Sequence, residues 1–130
     1  MPETTVFFYK DDDEGVPVKE WLDQLLRKDK KAFAQCVAAI RLLALLGHEL
    51  RRPKADFLRD GIYELRAKKG HVNYRVLYFF HGKNVALLAH ALTKKDAIPD
   101  IDIKRALERM DRFARSPEKH THEESLDEET

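Results

Sequence analysis

The sequence predicts an α+β domain in the order β-α-α-β-β-β-α, and three observations carry that reading. A β-branched and aromatic run opens the chain. Two apolar stripes at helical spacing follow with almost no break between them. Three strand-like runs then come in succession, joined by short links that contain glycine. The expected result is an antiparallel sheet carrying an N-terminal helix hairpin and a C-terminal helix.

Thr5-Val6-Phe7-Phe8-Tyr9 suits a strand and ends at the acidic turn Lys10 to Gly15. Pro17 fits the first position of a helix, where its missing N–H costs nothing. Val18, Trp21, Leu22, Leu25 and Leu26 then fall on one face. After the charged break Arg27 to Lys31, a second helix carries Phe33, Cys36, Val37, Ile40, Leu43 and Ala44 on one side and stops at Gly47. So short a link makes the pair an antiparallel hairpin.

Gly61 to Ala67, Val72 to Phe80 and Val85 to Leu92 read as a meander, linked through Lys68-Lys69-Gly70 and His81-Gly82-Lys83. Pro99-Asp100 opens a last helix, with Ile103, Ala106, Leu107, Met110, Phe113 and Ala114 on its apolar side. Beyond Ser116-Pro117 the chain turns polar and acidic. Residues 1–116 are therefore expected to form a single domain, and residues 117–130 a disordered acidic tail.

Composition narrows the class. The chain has 130 residues, 43% of them hydrophobic and 36% charged, which suits one globular core with a charge-rich surface. No run approaches the roughly 18 apolar residues of a membrane span. The N-terminal segment Met1 to Thr5 lacks a basic region leading into an apolar one, so a cytoplasmic address is the simplest expectation. Cys36, the single cysteine, has no partner for an internal disulfide and supplies no metal-ligand pair. No metal, cofactor or small-molecule ligand is expected.

The net charge of +1 conceals a partition. Residues 1–50 carry seven Lys and Arg against nine Asp and Glu; residues 51–115 carry sixteen against eight; residues 116–130 carry one against six. A basic central half with an acidic tail suits a polyanionic partner, although an unevenly divided surface charge gives the same count.

Alternation places Ile62, Glu64 and Arg66 on one strand face. Arg75 lies inside an apolar run between Tyr74 and Val76, which calls either for an ion pair with Glu64 or Asp60 or for a cleft. His90 sits between Ala89 and Ala91, as a hydrogen-bonded core residue does, yet a meander brings it near Arg75. Lys94-Lys95 alone would be a solvated turn. Tyr74 and Tyr78 share a face and fit a core, though a tyrosine at a rim can stack a base. Together these types suit metal-free RNA cleavage: Arg and Lys offset phosphate charge, and His or Tyr can move protons.

Three stretches carry a resemblance: Leu58-Arg59-Asp60-Gly61-Ile62-Tyr63-Glu64-Leu65-Arg66, Tyr74-Arg75-Val76-Leu77-Tyr78, and Leu88-Ala89-His90-Ala91-Leu92-Thr93-Lys94-Lys95. In that order, and followed by Ile98-Pro99-Asp100-Ile101-Asp102-Ile103 with Ala106, they resemble the phage-derived HigB-like branch of the RelE/ParE toxin superfamily. The resemblance covers most of residues 5–115. It implies a RelE-like fold and a ribosome-dependent mRNA endonuclease held inactive by a helix-turn-helix antitoxin. It also implies that Arg66 and Arg75 face the scissile phosphate, that Lys94 closes the last strand of the site, and that His90 matches a histidine frequent in this branch. Lys68, Lys69, Tyr74 and Lys95 are the expected RNA contacts around them. Ile62 and Glu64 stand where RelE prototypes carry lysines, which leaves the general base open. The same superfamily includes ParE-like poisons of DNA gyrase, and a non-catalytic phage remnant that only binds nucleic acid or its antitoxin is a third reading.

Overall fold

The computed structural model describes residues 3–93 and 97–126. Its elements run β1 (Thr5–Tyr9), α1 (Pro17–Lys28), α2 (Lys30–Leu46), β2 (Ala55–Arg59), β3 (Ile62–Lys69), β4 (Val72–His81), β5 (Val85–Thr93), α3 (Asp100–Arg115) and β6 (Thr121–His122). They form one six-stranded sheet in the order β2-β3-β4-β5-β1-β6. The α+β class and the antiparallel meander are as the sequence predicts. The sheet as a whole is mixed, because β1 joins β5 in parallel, Thr5 against Val85 and Phe8 against Leu88.

Both faces of the sheet are covered. On one side the helix hairpin buries Val18, Leu22, Phe33, Val37, Ile40 and Leu43 against Leu65, Val76, Tyr78 and Leu88. On the other, α3 buries Ala106 and Phe113 against Ile62, Leu77, Phe79 and Leu87. Continuous apolar runs in β4 and β5 follow from this two-sided burial. A single residue joins the hairpin helices: Asp29 closes α1 and caps α2, its side chain accepting from the Ala32 N–H at 3.1 Å. Gly47 ends α2 at φ +53°, and a Cβ there would meet Thr4 Oγ1 at 2.1 Å, so only glycine fits.

By length and composition, Lys30–Glu49 is apolar enough to cross a membrane, at a mean hydropathy of 1.3. In this fold it is the core helix, with one stripe packed on the sheet.

Two strands lie outside the expected order. β2 and β3 form a hairpin across Asp60 (φ +52°) and Gly61 (φ +90°), the two positive-φ positions of a two-residue turn. The second is β6, which pairs antiparallel with β1 at Phe8 and Tyr9. Residues 117–126 are therefore not a free tail. His120 is buried, stacks on Tyr9 at 5.3 Å and donates from Nδ1 to the Lys10 carbonyl at 2.7 Å. Further on, Glu124 meets Lys19 at 2.9 Å and the Leu126 carbonyl accepts from Arg41 at 3.0 Å.

Candidate nucleic-acid interface

On the α3 side of the sheet, strand alternation and register set out a grid. Glu64 and Arg66 of β3 lie beside Leu77 and Arg75 of β4, Asp56 of β2 lies beside Glu64, and Leu77 and Arg75 face His90 and Leu92 of β5. Arg66 and Arg75 stand directly opposite one another. Two like charges in that position repel, and Glu64 resolves the conflict. Its buried carboxylate accepts from Arg66 Nε on one oxygen and from Arg75 at 3.3 Å on the other. Asp56 extends the chain of charges, 3.6 Å from Arg66 and 2.9 Å from Arg52. Arg52, Asp56, Arg66, Glu64 and Arg75 thus alternate in sign and end in excess positive charge.

The ion pair between Arg75 and Glu64 exists, but it does not satisfy Arg75. Its Nε is buried with no hydrogen-bond partner among the described residues. Arg66 keeps 38% of its side chain exposed against 14% for Arg75, so the pair opens to solvent at the Arg66 end. An incoming phosphate would meet two fixed guanidinium groups whose orientation is already set from below.

His90 reaches this face through an irregularity. Tyr78 pairs with Leu88 but Leu77 pairs with His90, so Ala89 is the extra residue of a β-bulge. Strict alternation would have turned His90 toward the helix hairpin. Instead its Nε2 lies 2.7 Å from Asp102 and its Nδ1 3.2 Å from Arg109, both on α3. An arginine only donates, so Nδ1 accepts and the ring proton sits on Nε2, donated to Asp102. Arg109 also donates to the Ala89 carbonyl at 2.7 Å. Burial holds His90 below the usual histidine range, against the opposing pull of Asp102. The ring is neutral, with both nitrogens engaged.

The other expected contacts divide. Lys68 is exposed on the same face as Arg66. Lys69 is on the hairpin side, where it pairs with Asp29 at 2.6 Å. Tyr74 is also on the hairpin side, buried edge-on to Trp21 at 6.2 Å, and lines a small cleft with Trp21, Lys28 and Thr93. The sheet thus separates Tyr74 and Lys69 from Arg66, Arg75 and His90. Lys94 and Lys95 lie outside the described residues. Sequence reasoning missed Asp56, Arg52, Asp102 and Arg109. Asp102 and Arg109 are seven apart, two turns along one helix face, and that spacing was the available signal.

A mixed sheet between a helix hairpin and a third helix, with paired arginines on one face, defines a small α+β protein compatible with a RelE-like fold. The chain belongs to the Phage derived protein Gp49-like (DUF891) family, whose model matches residues 20–111. That family is phage-derived and associated with toxin–antitoxin toxins. The match runs from α1 into α3 and so contains Asp56, Glu64, Arg66, Arg75, His90 and Asp102. No curated protein matches the chain significantly.

Proposed function

We propose that this chain is the toxin of a type II toxin–antitoxin pair and that it acts in the cytoplasm, cutting mRNA on the ribosome by metal-free attack of a 2′-hydroxyl. The observation that carries the reading is the Arg66–Glu64–Arg75 arrangement: two guanidiniums fixed side by side on a sheet face by one buried carboxylate. In the reaction the 2′-oxygen bonds to phosphorus while the bond from phosphorus to the 5′-oxygen breaks. The hydroxyl proton leaves, and a proton returns to the departing 5′-oxygen. Negative charge grows on the equatorial oxygens, where preoriented guanidiniums stabilise it most. Lys68 would hold a neighbouring phosphate. Lys94, by the resemblance, would act at the end of β5. A helix-turn-helix antitoxin, encoded beside the toxin, would keep it inactive.

On this reading His90, a proton-transfer candidate by residue type, has a positioning part instead. With both nitrogens engaged on α3, it positions that helix against β5 rather than exchanging protons with RNA. The same observation favours a second reading, in which the face binds without chemistry, as in a ParE-like gyrase poison.

Cell-free translation separates the two. Wild-type protein is expected to stop translation and leave ribosome-dependent breaks that primer extension detects, while a folded Arg75→Ala variant leaves none. Intact message with normal translation would remove the nuclease reading, and DNA damage in expressing cells would then support gyrase poisoning.

A further inference from the structure

We infer that a cleft at the β2 edge binds a base of single-stranded RNA beside the phosphate held at Arg66 and Arg75. This rests on the nuclease reading above and adds a second subsite to it. The cleft encloses about 630 Å³ and is lined by His48, Arg51, Arg52, Asp56, Phe57 and Tyr63 among others. Phe57 is 54% exposed, an unusual position for a large apolar ring. It packs edge-on to Tyr63 at 5.2 Å, and Tyr63 meets Phe80 at 5.3 Å, on which His48 stacks at 3.6 Å. The outer ring of this aromatic series is the one open to a ligand.

The charges at the rim suit a nucleic acid. Arg51 donates only to the His48 and Leu50 carbonyls, and no carboxylate among the described residues pairs with it. Arg52 shares Asp56 with Arg66, so the cleft and the paired arginines belong to one charge network. The two lie on opposite sides of the sheet, since Phe57 pairs with Tyr63 whereas Asp56 pairs with Glu64. However, β2 is the outermost strand. A single strand of RNA passing around it would leave a phosphate at Arg66 and present a base to Phe57. A positive groove with an exposed aromatic ring is how sequence-tolerant single-strand sites are built.

The test is fluorescence anisotropy with the full chain and a fluorescein-labelled hexa-adenylate bearing 2′-O-methyl groups, which cannot be cut. Phe57→Ala should raise Kd on the order of tenfold, and Phe57→Tyr should restore binding, because a tyrosine still stacks. The exposed ring leaves the thermal midpoint as a control for folding. Arg51→Gln should weaken binding and flatten its salt dependence. If Phe57→Ala binds like wild type while Arg75→Ala does not, the cleft is no RNA subsite although the arginine site stands. If Phe57→Ala keeps RNA binding but loses co-purification with the protein encoded beside it, the cleft is a protein surface and the inference is overturned. If wild type fails to bind the RNA, the base subsite falls, while the nuclease reading, which places the message on the ribosome, is decided by the translation assay.

Discussion

Arg66 and Arg75 face each other across neighbouring strands, and the carboxylate of Glu64 lies beneath both guanidiniums. That carboxylate is 2% exposed, so the arrangement is fixed from inside the protein. Removing it leaves two opposed cations on a half-buried surface.

Glu64→Ala should therefore destabilise the fold by about 3 kcal/mol, the lower end for a broken buried pair because Arg66 still reaches water. Glu64→Gln should cost less, since an amide oxygen still accepts a hydrogen bond. Urea unfolding of the two variants checks both values. Equal stability of Glu64→Ala and wild type would show that the arginines do not depend on it.

Stability should fall as the medium becomes more acidic than the usual histidine value. Burial holds folded His90 below 6.5, while the unfolded chain titrates near that value. As pH drops through 6.5 the unfolded state takes up the proton first, so the folded state loses ground; above 6.5 the contribution is fully present. Urea midpoints from about pH 7.5 to about pH 5.5 should decline in wild type and decline less steeply in His90→Gln. Parallel slopes would assign the acid sensitivity to other groups.

His120→Ala should cost about 2 kcal/mol by removing the ring stacked on Tyr9 and leaving the Lys10 carbonyl without its donor. A fall in Tm of roughly 6–10 °C is the corresponding observable. An unchanged Tm would mean that the C-terminal segment adds nothing to the domain.

Burial pushes the Cys36 thiol up to about 12. It should stay unreactive toward a disulfide reagent in the native protein and react once urea unfolds the chain. Rapid labelling without denaturant would contradict its place on the buried face of α2.

Much of this was legible because burial writes itself into side-chain spacing. The helix stripes, the meander and Gly47 all follow from it. For Arg75 the sequence leaves an ion pair and a cleft both open, and the ion pair that forms is with Glu64. Separation of Tyr74 from Arg75 was also available, since adjacent residues on a strand point to opposite faces. Asp60-Gly61 is a strong hairpin signal, but the strand before it is hard to see, because β2 is short, follows Pro53 and carries polar Asp56 and Arg59 at the sheet edge. The parallel neighbour of β1 has no local signature at all. Nor does the bulge at Ala89, one inserted residue that decides which face His90 joins. β6 was hidden because two paired residues inside an acidic segment do not alter its composition.

The placement of β1 has a consequence for the order in which the chain is made. β1, made before the other five strands of this sheet, has β5 on one side and β6 on the other, and both are encoded after residue 84. Until Val85–Leu88 emerge, Thr5–Phe8 have no strand partner, and the closing contacts bridge some eighty positions of sequence. A chain released early at the β3–β4 turn would carry β1 as an unpaired apolar strand, exposed to aggregation and proteolysis.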